Sequence, residues 1–347
     1  MTDARILAVL TGGTIGSLAG EDGLQPGDAE RLRARLRGYV PAHVDFLDLF
    51  AHDSSDVQPE HWLAIAHAIA AHQHAYTGFI VLHGTDTLAE SATAQAFLLR
   101  NLGVPVVFTG AQVPLESAFP SDGFRNVVNA VRVAESDLAE VVIVVGDRIL
   151  RAARARKLSA IHFDAFGSVD AVPLGEIGPA GLWFYGARTH RPAERVAVTV
   201  EGGFSPDVLL YKVMPGMPPS MLEWAVDAGV EGIVFEGYGT GNLPISGAHS
   251  YRPVFERALA AGIPVVIATR CVRAVVGDDY AVGAVRLGAI SALDMTAEAA
   301  YIKLKMALAA CPPEMPAHAR IEAIRRFMQT NLAGELGVYA PGASPSA

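Results

Sequence analysis

Three strand-like runs in the first half of the chain end in the same kind of residue, and that recurrence restricts the fold more than any other feature. Arg5 to Leu10 leads into Thr11-Gly12-Gly13-Thr14, Gly78 to Leu82 into His83-Gly84-Thr85-Asp86, and Val104 to Phe108 into Thr109-Gly110-Ala111-Gln112. The runs are short and continuously apolar, as in strands covered on both faces, and segments of helical spacing lie between them. Those segments are Ala29 to Tyr39, Pro59 to Ala71 and Leu88 to Asn101; a capped helix from Ser121 to about Ala134 and a strand from Glu140 to Val145 follow. Strand–helix alternation predicts parallel strands joined by crossover helices. In such sheets ligands bind at the carboxyl ends of the strands, so the three Gly/Thr segments should meet in one crevice.

At 347 residues the chain exceeds what one core usually serves. A polar stretch from Gly186 to Val196 reads as a linker, and weaker strand signals follow at Val208 to Val213, Gly232 to Phe235 and Pro264 to Ala268. Helical patterns lie at Ser220 to Ala228, Tyr251 to Ala261, Thr296 to Ala309 and Ala317 to Leu332. The expected fold is therefore α/β. A larger N-terminal domain over 1–187, with a mostly parallel, Rossmann-like sheet flanked by helices, is followed by a linker at 188–200 and a smaller α/β domain over 201–347. Hydrophobic residues make up 51% of the chain and aromatics only 7%, an aliphatic content suited to helices packed on sheets. The tail from Pro341 is expected to fray.

The formal charge of -9 is spread without a basic stripe, so nucleic acid is not an expected partner. Cys271 and Cys311 are too few and too distant for a disulfide framework or metal knuckle, which fits a reducing compartment. The apolar run Ile6 to Leu10 is too short for a signal peptide, and no stretch approaches the roughly 20 apolar residues of a membrane helix. A cytoplasmic location without membrane contact is expected.

Alone, Thr11-Gly12-Gly13-Thr14-Ile15-Gly16 is a weak signal, equally a structural turn or a phosphate cradle. It lacks the Lys-Ser/Thr ending of a Walker loop and the spacing of a dinucleotide fingerprint. In His83-Gly84-Thr85-Asp86-Thr87, a Thr-Asp pair ahead of a helix is ordinarily an N-cap. Beside Thr14 it offers more. A threonine hydroxyl is a poor nucleophile that needs a proton acceptor and oriented donors, and a second threonine relayed to a lysine could supply the acceptor.

With Asp53-Ser54-Ser55-Asp56 and Lys157 added, the chain resembles the bacterial type I L-asparaginase family. The resemblance continues in order through Thr109 to Gln112, Ser121-Asp122-Gly123 with Asn126 and Asn129, Phe163-Asp164-Ala165-Phe166, Tyr238-Gly239-Thr240-Gly241-Asn242, Asp294-Met295-Thr296 and Asn331 to Glu335. It implies that Thr14 is the nucleophile of an acyl-enzyme reaction converting L-asparagine to L-aspartate and ammonia without cofactor or metal. Thr85 and Lys157 would form a proton relay, Asp86 would hold the substrate ammonium, and Ser54 and Ser55 its carboxylate. Backbone groups at Thr85 or around Ala111 would serve the oxyanion. A homodimer or homotetramer is implied, in which the second domain of a partner borders the site, with Asn242 of the Tyr238 to Asn242 segment contributing. Without the resemblance, Lys157 in Arg154-Ala155-Arg156-Lys157 reads as a solvated basic turn, and Asp53 to Asp56 as a turn capping the helix after Pro59.

His61, His67, His72 and His74 lack metal-protease spacing and read as a solvated helix face. The chain departs from the family twice. Leu24 follows Gly20-Glu21-Asp22-Gly23 where a tyrosine is usual, removing a phenol beside the nucleophile. Glu236 stands where an arginine serves a second, allosteric asparagine site, while Cys271 is retained; that site is expected to be lost or altered. The alternatives left open are an amidase acting on glutamine, a D-amino acid amide or an asparaginyl peptide, and an amino-acid sensor without turnover.

Overall fold

The computed structural model describes residues 4–20, 23–25, 28–117, 119–185, 188–194, 196–277 and 283–337. The side chain of Leu24 and the tail from Pro341 lie outside the described residues. Chain contacts divide the molecule into two units, Met1–Phe204 and Ser205–Ala347.

The first unit is built on an eight-stranded sheet. Its strands are β1 (Ile6–Gly12), β2 (Val44–His52), β3 (Gly78–Leu82), β4 (Val106–Thr109), β5 (Val141–Val145), β6 (Arg148–Arg151), β7 (Gly175–Gly178) and β8 (Gly181–Phe184), in the spatial order β2-β1-β3-β4-β5-β6-β7-β8. The pairings from β2 through β5 are parallel, and those from β5 through β8 are antiparallel. Every residue of β3 and β5 is buried, as their uninterrupted apolar sequences require.

The edge strand β2 is absent from the sequence reading for a physical reason. Its residues Val-Asp-Phe-Leu-Asp-Leu-Phe carry carboxylates and are mostly half-buried, and Asp45 and Asp48 pair with Arg5 and Arg33. Charge of this kind on an edge discourages pairing with another chain but hides the strand pattern.

Helices α1 (Ala29–Arg37), α2 (Pro59–His72), α3 (Leu88–Leu98) and α4 (Gly123–Ala134) pack around the sheet. Ten of the eleven α3 residues are buried; Trp62 Nε1 donates to Ser91 Oγ at 2.9 Å, and Gln95 Nε2 to the Trp62 carbonyl at 2.8 Å. One expected cap is corrected here. Asp53 caps its own short turn, accepting the Ser55 amide at 2.8 Å, and α2 is instead entered at Gln58, whose N–H donates to His61 Nδ1 at 2.9 Å.

The second unit holds a four-stranded parallel sheet of β9 (Val208–Lys212), β10 (Gly232–Gly237), β11 (Val265–Thr269) and β12 (Ile290–Ser291) in sequential order. Helices α5 (Ser220–Asp227), α6 (Arg252–Ala260), α7 (Ala297–Ala310) and α8 (Ala317–Gln329) accompany it. Fully buried Lys303 donates to the Met328 carbonyl at 2.9 Å, the Thr330 carbonyl at 2.5 Å and Glu335 Oε1 at 2.6 Å, tying the end of α8 to α7. Glu236, on β10, is buried and accepts from Lys212 at 3.1 Å. Among the described residues, no helix is long and apolar enough to cross a membrane, and no group of three His, Cys, Asp or Glu is placed to hold a metal ion.

Candidate active site

The loops after β1, β3 and β4 meet through glycine. Gly12 and Gly13 leave β1 with φ of 96° and 83°, and the Gly13 amide donates to the His52 carbonyl at 3.0 Å. A Cβ on Gly13 would stand 2.3 Å from the Gly84 backbone, and one on Gly84 would stand 2.5 Å from Ser54 Oγ. A Cβ on Gly110 would fall 2.3 Å from the His83 carbonyl. Only residues without side chains permit this stacking of three loops and Ser54.

Thr14 opens a short 3₁₀ turn, Thr14–Gly16, directly after this contact. Buried Ile15 anchors the turn, and its carbonyl accepts the Leu115 amide at 3.2 Å. The Thr14 side chain is half-buried, and among the described residues none hydrogen-bonds its hydroxyl.

Lys157 sits on a two-stranded antiparallel ribbon, Ala155–Lys157 with Phe166–Ser168. Its Nζ donates to Thr85 Oγ1 at 2.9 Å and to Asp86 Oδ1 at 2.6 Å. The isolated residues suggest a solvated basic turn; in the fold only 18% of the Lys157 side chain remains exposed, against 67% for Asp86. A lysine held between a buried hydroxyl and a carboxylate that is open to solvent on one side can exchange a proton with the hydroxyl while the carboxylate stays available to an incoming cation.

Ser54 is buried, accepting the Asp86 amide at 3.2 Å, while its carbonyl accepts the Thr87 hydroxyl at 2.6 Å. The helix α3 is entered at Thr87 without a side-chain cap, so Thr85 and Asp86 do not cap it. Ser55 is exposed and donates its hydroxyl to Asp53 at 2.5 Å; that bond and the Ser55 amide hold the Asp53 carboxyl below its usual range. Ala111 is fully buried in the loop after β4. The fold thus gathers Ser54, Ser55, Thr14, Thr85, Asp86, Ala111 and Lys157 on one unit.

Asn242 belongs to the second unit. There the turn from Tyr238 closes with its amide donating to the Tyr238 carbonyl at 2.7 Å, and Gly239 and Gly241 take φ of 45° and 96°.

His83 carries no role in the sequence-based expectations. Burial drives its pKa down to about 4, partly offset by its bond to the Gly84 carbonyl at 2.7 Å. That carbonyl can only accept, so neutral His83 carries its proton on Nδ1, and buried Nε2 has no partner among the described residues. Its position directly before the Gly-Thr-Asp run was the available signal.

Residues 5–189 match the family described as Asparaginase, N-terminal, and residues 207–318 the Glutaminase/Asparaginase C-terminal domain. The chain is 36% identical to a component of the glutamyl-tRNA(Gln) amidotransferase of Pyrococcus abyssi, an alignment covering 84% of this chain and 66% of that one. It thus spans slightly less than two thirds of that relative. It is 34% identical to L-asparaginase 1 of Escherichia coli over 97% of this chain and 99% of that one. The structure of the thermostable L-asparaginase from Thermococcus kodakarensis superposes with a TM-score of 0.86 at 29% identity, covering 96% of this chain and 100% of that one. With over half of its length matched by the N-terminal family and the loops of that half converging on one constellation, the chain belongs to the asparaginase family.

Proposed function

We propose that this protein hydrolyses L-asparagine to L-aspartate and ammonia through an ester on Thr14. The observation that carries the reading is the placement of Lys157 Nζ 2.9 Å from Thr85 Oγ1 and 2.6 Å from Asp86 Oδ1, in a loop whose backbone touches that of the Thr14 turn. Thr14 Oγ attacks the side-chain carboxamide carbon and gives its proton to Thr85, whose own hydroxyl proton passes to Lys157, which takes it in the neutral amine form. The C–N bond breaks as the relay returns a proton to the nitrogen, which leaves as ammonia. Water then adds to the ester, the relay accepts its proton, and collapse releases aspartate and restores the Thr14 hydroxyl.

Asp86 receives the substrate ammonium, and Ser54 and Ser55 receive its α-carboxylate. Donors at Thr85 and Ala111 meet the developing oxyanion. We assign assembly as a homodimer or homotetramer, in which the Tyr238 to Asn242 segment of a second copy borders the site, and a cytoplasmic location. Glu236 paired with Lys212 is consistent with an altered allosteric site.

A second reading, hydrolysis of glutamine, draws on the match of residues 207–318 to the Glutaminase/Asparaginase C-terminal domain. One methylene changes binding by only about 1–3 kcal/mol, so the pocket must be tested directly. Ammonia release from asparagine and glutamine is measured on the wild type and on Thr14→Ala, with aspartate binding by calorimetry. Turnover abolished in a variant with an unchanged melting curve supports the nucleophile; retained turnover removes it, and aspartate binding without ammonia from the wild type identifies a sensor.

A further inference from the structure

Asp122 lies at the N-cap of α4, where a carboxylate ordinarily accepts the first free amides of its own helix. Here it does not. Ser121 Oγ takes the Gly123 amide at 3.0 Å, and the Asp122 carboxylate turns to the loop after β4. It accepts the Gln112 amide on both oxygens, at 3.0 and 3.1 Å, and the Val113 amide at 3.1 Å. One turn further along α4, buried Asn126 donates to the Gly110 carbonyl at 2.8 Å and to Asp122 Oδ2 at 3.0 Å. Its Oδ1 accepts the Gly146 amide at 2.9 Å, fixing the same side chain to the end of β5.

These bonds tie the carbonyl of Gly110 and the amides of Gln112 and Val113. Between them, the N–H and C=O of fully buried Ala111 have no hydrogen-bond partner among the described residues. Buried backbone groups are almost always paired, so the two left open on a residue flanked by a fastened carbonyl and two fastened amides are groups kept for a ligand.

We propose that Asp122 and Asn126 are positioning residues that hold the Gly110–Val113 turn so that the Ala111 N–H and C=O meet the scissile carboxamide of the substrate. The proposal rests on the asparaginase reading and adds the clamp behind the backbone. The α-ammonium and α-carboxylate are held by other loops, so loosening the clamp disturbs the carboxamide end alone.

The test uses full-length Asp122→Asn and Asn126→Asp with two substrates that differ only at the amide nitrogen, asparagine and aspartic acid β-hydroxamate. Displacement of a reacting group by about 1 Å costs on the order of a hundredfold, so kcat/KM for asparagine is expected to fall about ten- to a hundredfold. The ratio of kcat/KM between the two substrates is expected to shift at least about fivefold, while aspartate affinity changes less than about threefold. A merely structural role lowers the folded fraction and scales both substrates equally. Wild-type turnover with an unshifted ratio in both variants overturns the clamp alone; a wild type that releases no ammonia from asparagine overturns the functional reading and this inference with it.

Discussion

Replacing Lys157 with Met separates the chemical use of this residue from its structural use, because the two losses differ in size. The ion pair with Asp86 is short, 2.6 Å, but 67% of the Asp86 side chain is exposed, so the pair contributes only about 0–1 kcal/mol to stability. The larger structural loss is at Thr85, which is 4% exposed and would lose its donor at 2.9 Å. An unsatisfied buried hydroxyl costs about 1–3 kcal/mol. For a unit of this size that lowers the melting temperature by roughly 2–12 °C, which leaves the protein folded at assay temperature.

Removing a proton relay instead costs about 10²–10⁴ in kcat. Lys157→Arg sharpens the comparison: arginine keeps the charge facing Asp86 but does not release its proton, so it should recover thermal stability and not turnover. Thermal melts by circular dichroism, run beside a coupled ammonia assay, give both numbers on the same samples. A Lys157→Met variant retaining wild-type kcat within about threefold, or an arginine variant restoring it, would refute the relay.

Two further outcomes follow from the site. Gly13→Ala places a methyl 2.3 Å from the Gly84 backbone at φ of 83°, so we expect about 2–6 kcal/mol of destabilisation and loss of turnover from a displaced Thr14; denaturant midpoints and ammonia release check both. His83 makes the fold acid-sensitive. Its pKa falls from 6.5 to about 4 on folding, so below pH 6.5 the unfolded chain binds the extra proton, and stability present above 6.5 is lost as pH falls toward 4, by up to about 3 kcal/mol. Urea titrations at pH 7 and pH 5 should show that loss in the wild type and a smaller one in His83→Gln; equal losses would contradict the assignment.

How far the sequence reaches can be judged residue by residue. The apolar runs of β3 and β5 were legible because both faces are covered, leaving no room for polar positions. β2 was not, since an edge strand tolerates Asp45 and Asp48 and breaks the pattern. The antiparallel strands β6 to β8 were also unread, because short strands paired at a sheet margin carry little periodicity. Asp53 to Asp56 looked like a cap for α2, but local hydrogen bonding within the turn satisfied the carboxylate first.

By itself, the sequence determined which strand ends would meet, because glycine and hydroxyl residues directly after apolar runs are dictated by local backbone freedom and by parallel-sheet geometry. It also named Thr14, Thr85, Asp86 and Lys157 through the family resemblance. Tertiary structure alone decided that Lys157, 72 residues from Thr85, reaches its hydroxyl, and that Asp122 turns from its own helix to the loop holding Ala111. Such pairings depend on distances between elements far apart in the chain, and no local propensity encodes them.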